Sequence, residues 1–149
     1  CRSRRGRRRR ASAARGRECT RRRRSPACNA ARRVWGDPGP TDEILKVWLD
    51  RLIIRNGWVD IARKRPVPHS THFANSGYFY FYGHYYAMDC IELLPETDRS
   101  VYYQHYAKIM LSKQEKNGCW WDYPLYQYHY AYGTGYALRV LSACRNGAK

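Results

Sequence analysis

From residue 41 onward the apolar residues recur at helical spacing. Thr41 is placed to cap a helix whose first turn holds Asp42 and Glu43, acids that suit the positive end of a helix dipole. Ile44, Leu45, Trp48 and Leu52 then form its apolar stripe. Further along, Tyr86, Ala87, Cys90, Ile91 and Leu94 follow the pattern i, i+1, i+4, i+5, i+8, and so do Tyr136, Ala137, Val140, Leu141 and Cys144. Two equivalent helices are predicted, about Tyr85 to Leu94 and about Gly135 to Cys144, stopped by Pro95 and by Asn146-Gly147. A fourth starts at Thr97 or Ser100 and turns Tyr103, Tyr106, Ile109 and Met110 inward.

The likeness of the two later stripes belongs to a longer repeat. YFYFYGHYYAMDCIELL, from Tyr78, matches YHYAYGTGYALRVLSAC, from Tyr128, at a shift of 50 residues. Tyr78, Tyr80, Tyr82, Gly83, Tyr86 and Ala87 correspond to identical residues at Tyr128, Tyr130, Tyr132, Gly133, Tyr136 and Ala137. The chain therefore reads as helix, loop, helix, twice over, with repeats at about 41–95 and 96–146. Long loops are expected at about Asn56 to Tyr82 and Asn117 to Tyr132, where Pro66, Pro68 and Pro124 forbid continuous helix.

Charge sets the first 33 residues apart from the other 116. They hold 15 of the 28 Lys and Arg and a single acid, Glu18, so they carry +14 of the formal +16. With no aromatic residue and no Leu, Ile, Val, Phe or Met, this stretch lacks the apolar surface that would offset the entropy of ordering. A disordered Arg-rich tail is predicted over 1–33, ahead of a repeat domain over 34–149. Clustered Arg suits nucleic acid or another anionic surface. The alternative is an incidental extension, since the tail offers no aromatic for stacking on bases and no binding module. No apolar run follows the paired arginines, so no signal peptide is seen, and no stretch is apolar enough to span a bilayer. Cys1, Cys19, Cys28, Cys90, Cys119 and Cys144 show no metal-ligand spacing, which makes reduced thiols the expectation.

At Gln114 the sequence reads QEKNGCW, that is Gln-x-x-x-Gly-x-Trp, followed after a loop by YGTGYALRVLSA. This combination resembles the QW repeat and following inner helix of the squalene cyclase and protein prenyltransferase superfamily. The resemblance covers about Thr41 to Asn146 and is strongest from Tyr102 onward. In the first repeat, Asn56-Gly57-Trp58 keeps the end of the motif, without a matching Gln. The resemblance implies an all-α fold, an incomplete α/α toroid of about two helix pairs of alternating outer and inner helices. In physical terms Gln114 can bond helix-end carbonyls or a neighbouring repeat, Gly118 permits a left-handed cap, and Trp120 can cover the end of the helix pair. These are repeat-stabilising roles.

Catalytic groups of the family find no match here. The DxDD-type acid that protonates an alkene is absent. The zinc-binding His of prenyltransferases, which opens an inner helix, falls on Gly83 and Gly133. Cys119, Asp122 and His129 have the side chains of a metal set on one loop, though in no recognised spacing, and no metal or cofactor is expected. His84, beside Tyr82 at the start of an inner helix, is the candidate acid or base. All fourteen tyrosines lie after residue 77. The resemblance implies that inner-helix aromatics line an apolar cavity, which points to Tyr82, Tyr86, Tyr132 and Tyr136; packing between two layers is the alternative.

Two helix pairs cannot close a ring, so the chain reads as a piece whose partners are missing repeats or other subunits. The expected function is a C-terminal-type segment lending aromatic wall to an apolar, isoprenoid-type pocket with no complete active site. The resemblance implies a cytoplasmic or membrane-peripheral place. The competing reading is a helical interaction module that binds nucleic acid or an anionic surface through its tail.

Overall fold

The computed structural model describes residues 25–64, 77, 79–123 and 127–147. Among them the chain is helical, with no strand: α1 Pro26–Val34, α2 Asp42–Ile54, α3 Asn56–Ala62, α4 Tyr80–Glu92, α5 Glu96–Leu111 and α6 Tyr128–Gly147. No described helix is long and apolar enough to cross a membrane.

The four expected helices are α2, α4, α5 and α6. In α2, Thr41 Oγ1 accepts the Ile44 N–H at 3.4 Å, as its capping position requires. The buried centre of the stripe is Leu45 and Leu49, while Ile44 and Trp48 are only half-buried. Pro95 sits at the N-cap of α5, and its first turn carries Glu96 and Asp98. Both inner helices start well before the expected positions, because Gly83 and Gly133 are absorbed within them rather than ending a loop. Pro66, Pro68 and Pro124 lie outside the described residues.

Two helices were not expected. The loop reading from Asn56 is corrected by α3, which carries Gly57 and Trp58 in helical conformation. The boundary of the basic tail at residue 33 is corrected by α1. Ser25 caps α1 by accepting the Cys28 N–H at 3.1 Å, and Pro26 occupies the first turn, where its missing N–H costs nothing. Its small residues allow a close approach: Ala30 is buried against α4, and Cys90 Sγ donates to the Pro26 carbonyl at 3.0 Å. Partners elsewhere in the fold order α1, which has too little apolar side chain to order itself. Arg33 also pairs with Asp42, tying α1 to the start of α2.

The repeats stack side by side, and the long-range contacts show it. Tyr102 donates to Asp50 at 3.0 Å, Tyr106 to the Leu49 carbonyl at 3.3 Å, and Lys46 meets Asp98 at 2.8 Å. With Lys46–Asp98 near the start of both helices and the Leu49 and Asp50 links further along both, α2 and α5 run parallel as neighbours. In the inner layer Tyr85 touches Tyr136 and Glu92 reaches Arg139, so α4 and α6 also run together. Helix α5 returns antiparallel to α6, with Tyr103 beside Gly147 at one end and Met110 near Trp120 at the other. Leu45, Leu49, Phe81, Ala87, Met88, Ile91, Tyr106, Met110, Ala137 and Val140 fill the space between the layers.

Candidate functional site

The four tyrosines singled out on the inner helices come together. Tyr82 and Tyr86 lie one turn apart on α4, with ring centroids 4.6 Å apart, and Tyr132 and Tyr136 do the same on α6 at 5.3 Å. Tyr82 reaches Tyr136 edge-on at 6.3 Å, and Tyr85 joins the two helices by packing on Tyr136 at 4.7 Å. Phe79 extends the row at its start, 6.0 Å from Tyr82. The row is a half-buried face, not an enclosed cavity: Tyr82 is 40% exposed and Phe79 49%. Crowding of hydroxyls, chiefly the neighbouring Tyr82, raises the Tyr86 pKa, which favours its neutral hydroxyl.

Behind the row sits a buried polar node. The Asp122 carboxylate accepts from the Tyr132 hydroxyl and from the backbone N–H of Phe81, in the first turn of α4. It thus supplies the cap that Phe79, at the N-cap position, does not. His129 Nδ1 lies 3.3 Å from Asp122 Oδ1, and the Asp122 carbonyl accepts the Lys64 N–H at 2.6 Å. Burial raises the Asp122 pKa, and the bonds from Tyr132 and His129 work against that rise. An Asp–His pair has the parts of an oriented base, but both side chains are about 1% exposed and face protein. This geometry joins α4, α6 and the end of the first repeat. Cys119 stays outside the node, and among the described residues no group of three such side chains could hold a metal.

The Gln-x-x-x-Gly-x-Trp segment closes the helix pair. Gly118 has φ of +84°, and Gln114 Nε2 donates to its carbonyl at 3.1 Å, so Gln114 braces its own turn rather than a neighbouring repeat. Trp120 is 3% exposed and donates through Nε1 to the Met110 carbonyl at 2.8 Å, at the open end of α5. Its backbone N–H bonds Thr134 Oγ1 at 3.1 Å. A Cβ on Gly133 would lie 2.6 Å from the Trp120 carbonyl oxygen, so this position is closed to any side chain.

His84 is enclosed on the opposite side of α4 from the tyrosine row. Its Nδ1 lies 2.7 Å from the Tyr80 carbonyl, its ring packs on Tyr80 at 4.4 Å and Tyr106 at 5.8 Å, and Nε2 has no partner. Burial lowers its pKa to about 4, which keeps the ring neutral near pH 7.

No family model, curated protein or solved structure matches this chain. The site is therefore read from its own geometry. Sequence reasoning missed the ionic clasp between repeats: Asp60 with Lys113 at 2.7 Å, Lys64 with Glu115 at 2.5 Å, and the Arg63 guanidinium on the Trp121 carbonyl at 3.0 Å. These partners are 51 to 58 residues apart, and no local signal marks them.

Proposed function

We propose that this chain is a segment of a cyclase- or prenyltransferase-like helical repeat protein, whose inner helices lend an aromatic wall to a site for an apolar, isoprenoid-type ligand. The observation that carries the reading is the row Tyr82, Tyr86, Tyr136 and Tyr132, held half-exposed across two parallel helices. Inward positions of α4 and α6 supply most of the core, and of the four rings Tyr136 alone is packed against it, which leaves Tyr82, Tyr86 and Tyr132 surplus to packing between the layers. Aromatic faces bind long apolar chains through area and dispersion, with no polar partner required. Long-range contacts that recur near the repeat length support stacking in register, and the Gln114 to Trp120 turn keeps the resemblance to the QW repeat. The role is binding, with no assigned catalytic group, since His84 and the Asp122–His129 pair are both buried off the row.

The test is geranylgeraniol binding, read by quenching of intrinsic fluorescence in the intact chain. Tyr82→Ala/Tyr136→Ala should weaken it roughly tenfold or more, given the area two tyrosines remove from water. Undiminished binding in that variant overturns the reading. Absent polyprenol uptake together with steeply salt-dependent DNA binding overturns it in favour of an Arg-mediated interaction module.

A further inference from the structure

Beside the tyrosine row, a cleft of about 300 Å³ opens between α1, α2, α3 and the start of α4. Its apolar surface comes from Leu52, Val59, Phe79 and Tyr80, with Trp48 at the side and Gly83 leaving the floor open. A Cβ on Gly83 would meet nothing within 4 Å, so the space is a real vacancy beside the helix. Arg51 in the last turn of α2 and Arg55 at its C-cap also line it, one helical turn apart, and both are exposed. Like charges at this spacing repel, and neither guanidinium has a carboxylate partner among the described residues. Arg51 stacks on Trp48 at 4.8 Å, which fixes the guanidinium plane and leaves its N–H groups free at the edge. No acid lines the cleft, and Asp60, which acts on Tyr80, is already neutralised by Arg63 and Lys113.

We infer that this cleft binds a single-chain amphiphile with an anionic head group, Arg51 and Arg55 taking the head and Leu52, Val59, Phe79 and Tyr80 the stem. Two planar forks at one mouth suit a phosphate or carboxylate, whose charge relieves their mutual repulsion. The apolar walls behind them require a stem, which a free inorganic anion lacks. None of the four row tyrosines is used, so the site stands or falls independently of the polyprenol reading.

The experiment titrates the intact chain with decyl phosphate, decanol or inorganic phosphate, below micelle formation, following tryptophan fluorescence. Decyl phosphate should bind at least about tenfold more tightly than decanol, as charge-assisted bonds to two guanidiniums imply, and inorganic phosphate should not compete at equal concentration. Arg51→Gln/Arg55→Gln should erase the preference over decanol. Gly83→Leu, which fills the cleft with a better helix former, should abolish binding of both while helical circular dichroism is retained. Equal binding of decanol and decyl phosphate overturns the assignment. So does a charge preference that survives the double Arg variant, which would place the head group on the Arg-rich first segment. Unchanged binding in Gly83→Leu overturns it as well.

Discussion

Gly83 and Gly133 hold the same place in equivalent helices of the two repeats, but their surroundings are opposite. Above Gly133 passes the Trp120 backbone, so near that only hydrogen fits; beside Gly83 there is open space. The residues that follow diverge accordingly. Thr134 bonds the Trp120 backbone and so locks α6 to the turn after α5. His84, its counterpart, faces the core between Tyr80 and Tyr106 with one nitrogen unpartnered. The second repeat closes with Gln114, Gly118 and Trp120. In the first, Asn56 serves the Tyr80 hydroxyl at 2.7 Å and Trp58 is 67% exposed on α3. One repeat is thus stapled shut by backbone contact, and the other is left with a cleft. The same helix pair is used for stability in one place and is available for binding in the other.

The sharpest way to break this contrast is to put a methyl group on each glycine. Gly133→Ala drives Cβ into the Trp120 carbonyl, and backbone on both sides cannot yield cheaply; a loss of about 3 kcal/mol is expected in urea unfolding. Gly83→Ala meets nothing and removes a helix-interior glycine, so a gain of up to about 1 kcal/mol is expected. Equal effects at the two sites would mean that the repeats are not differently closed.

His84 supplies a pH handle confined to the first repeat. Its folded pKa of about 4 lies below the ordinary value of 6.5, so the unfolded chain takes up the proton first. The contribution of the neutral ring is fully present above pH 6.5 and is lost as pH falls towards 4, by on the order of 3 kcal/mol. Asp122 has the opposite sign: its raised pKa favours the folded state at low pH, and that benefit fades as pH rises through the folded value. Comparing wild type with His84→Phe isolates the histidine. The variant should flatten the stability profile between pH 7 and 4, and Thr134→Val should leave its slope unchanged.

Trp120→Phe probes the staple itself. It keeps the ring and removes one donor to the Met110 carbonyl, which retains the Lys113 N–H at 3.0 Å, and a loss of about 1 kcal/mol is expected by chemical denaturation. Trp58→Phe, exposed and in the matching motif, should cost within about 0.5 kcal/mol.

How far the sequence foretold this arrangement follows from the range of each interaction. Thr41, Pro95, the paired aromatic stripes and Gly118 act within a turn or two, so the four main helices, their pairing and the left-handed turn were legible. Helix α1 was not, because small residues such as Ala30 order only against α4, 60 residues on. Nor was the cap that Asp122 gives to α4, since it reaches back across a whole repeat to the Phe81 N–H. The early starts of α4 and α6 were hidden because a glycine reads as a break unless its neighbour is known. The repeat puts the tyrosines of α4 and α6 at matching positions, whereas the cleft with Arg51 and Arg55 depends on what is missing beside Gly83, and absence of a neighbour leaves no mark in a pattern of residues.

The smallest effect tests whether the Gln matters beyond its own turn. Gln114 is exposed, and its one bond, to the Gly118 carbonyl, competes with water. Gln114→Ala should therefore cost only about 0.5 kcal/mol, and Gly118→Ala more, about 1 kcal/mol, because its φ of +84° is strained for any residue with a Cβ. If Gln114→Ala instead costs as much as Trp120→Phe, the side chain reaches more than its own turn. The staple would then be a bond between repeats, and its absence from the first repeat would mark the end of the stack rather than an opening for a ligand.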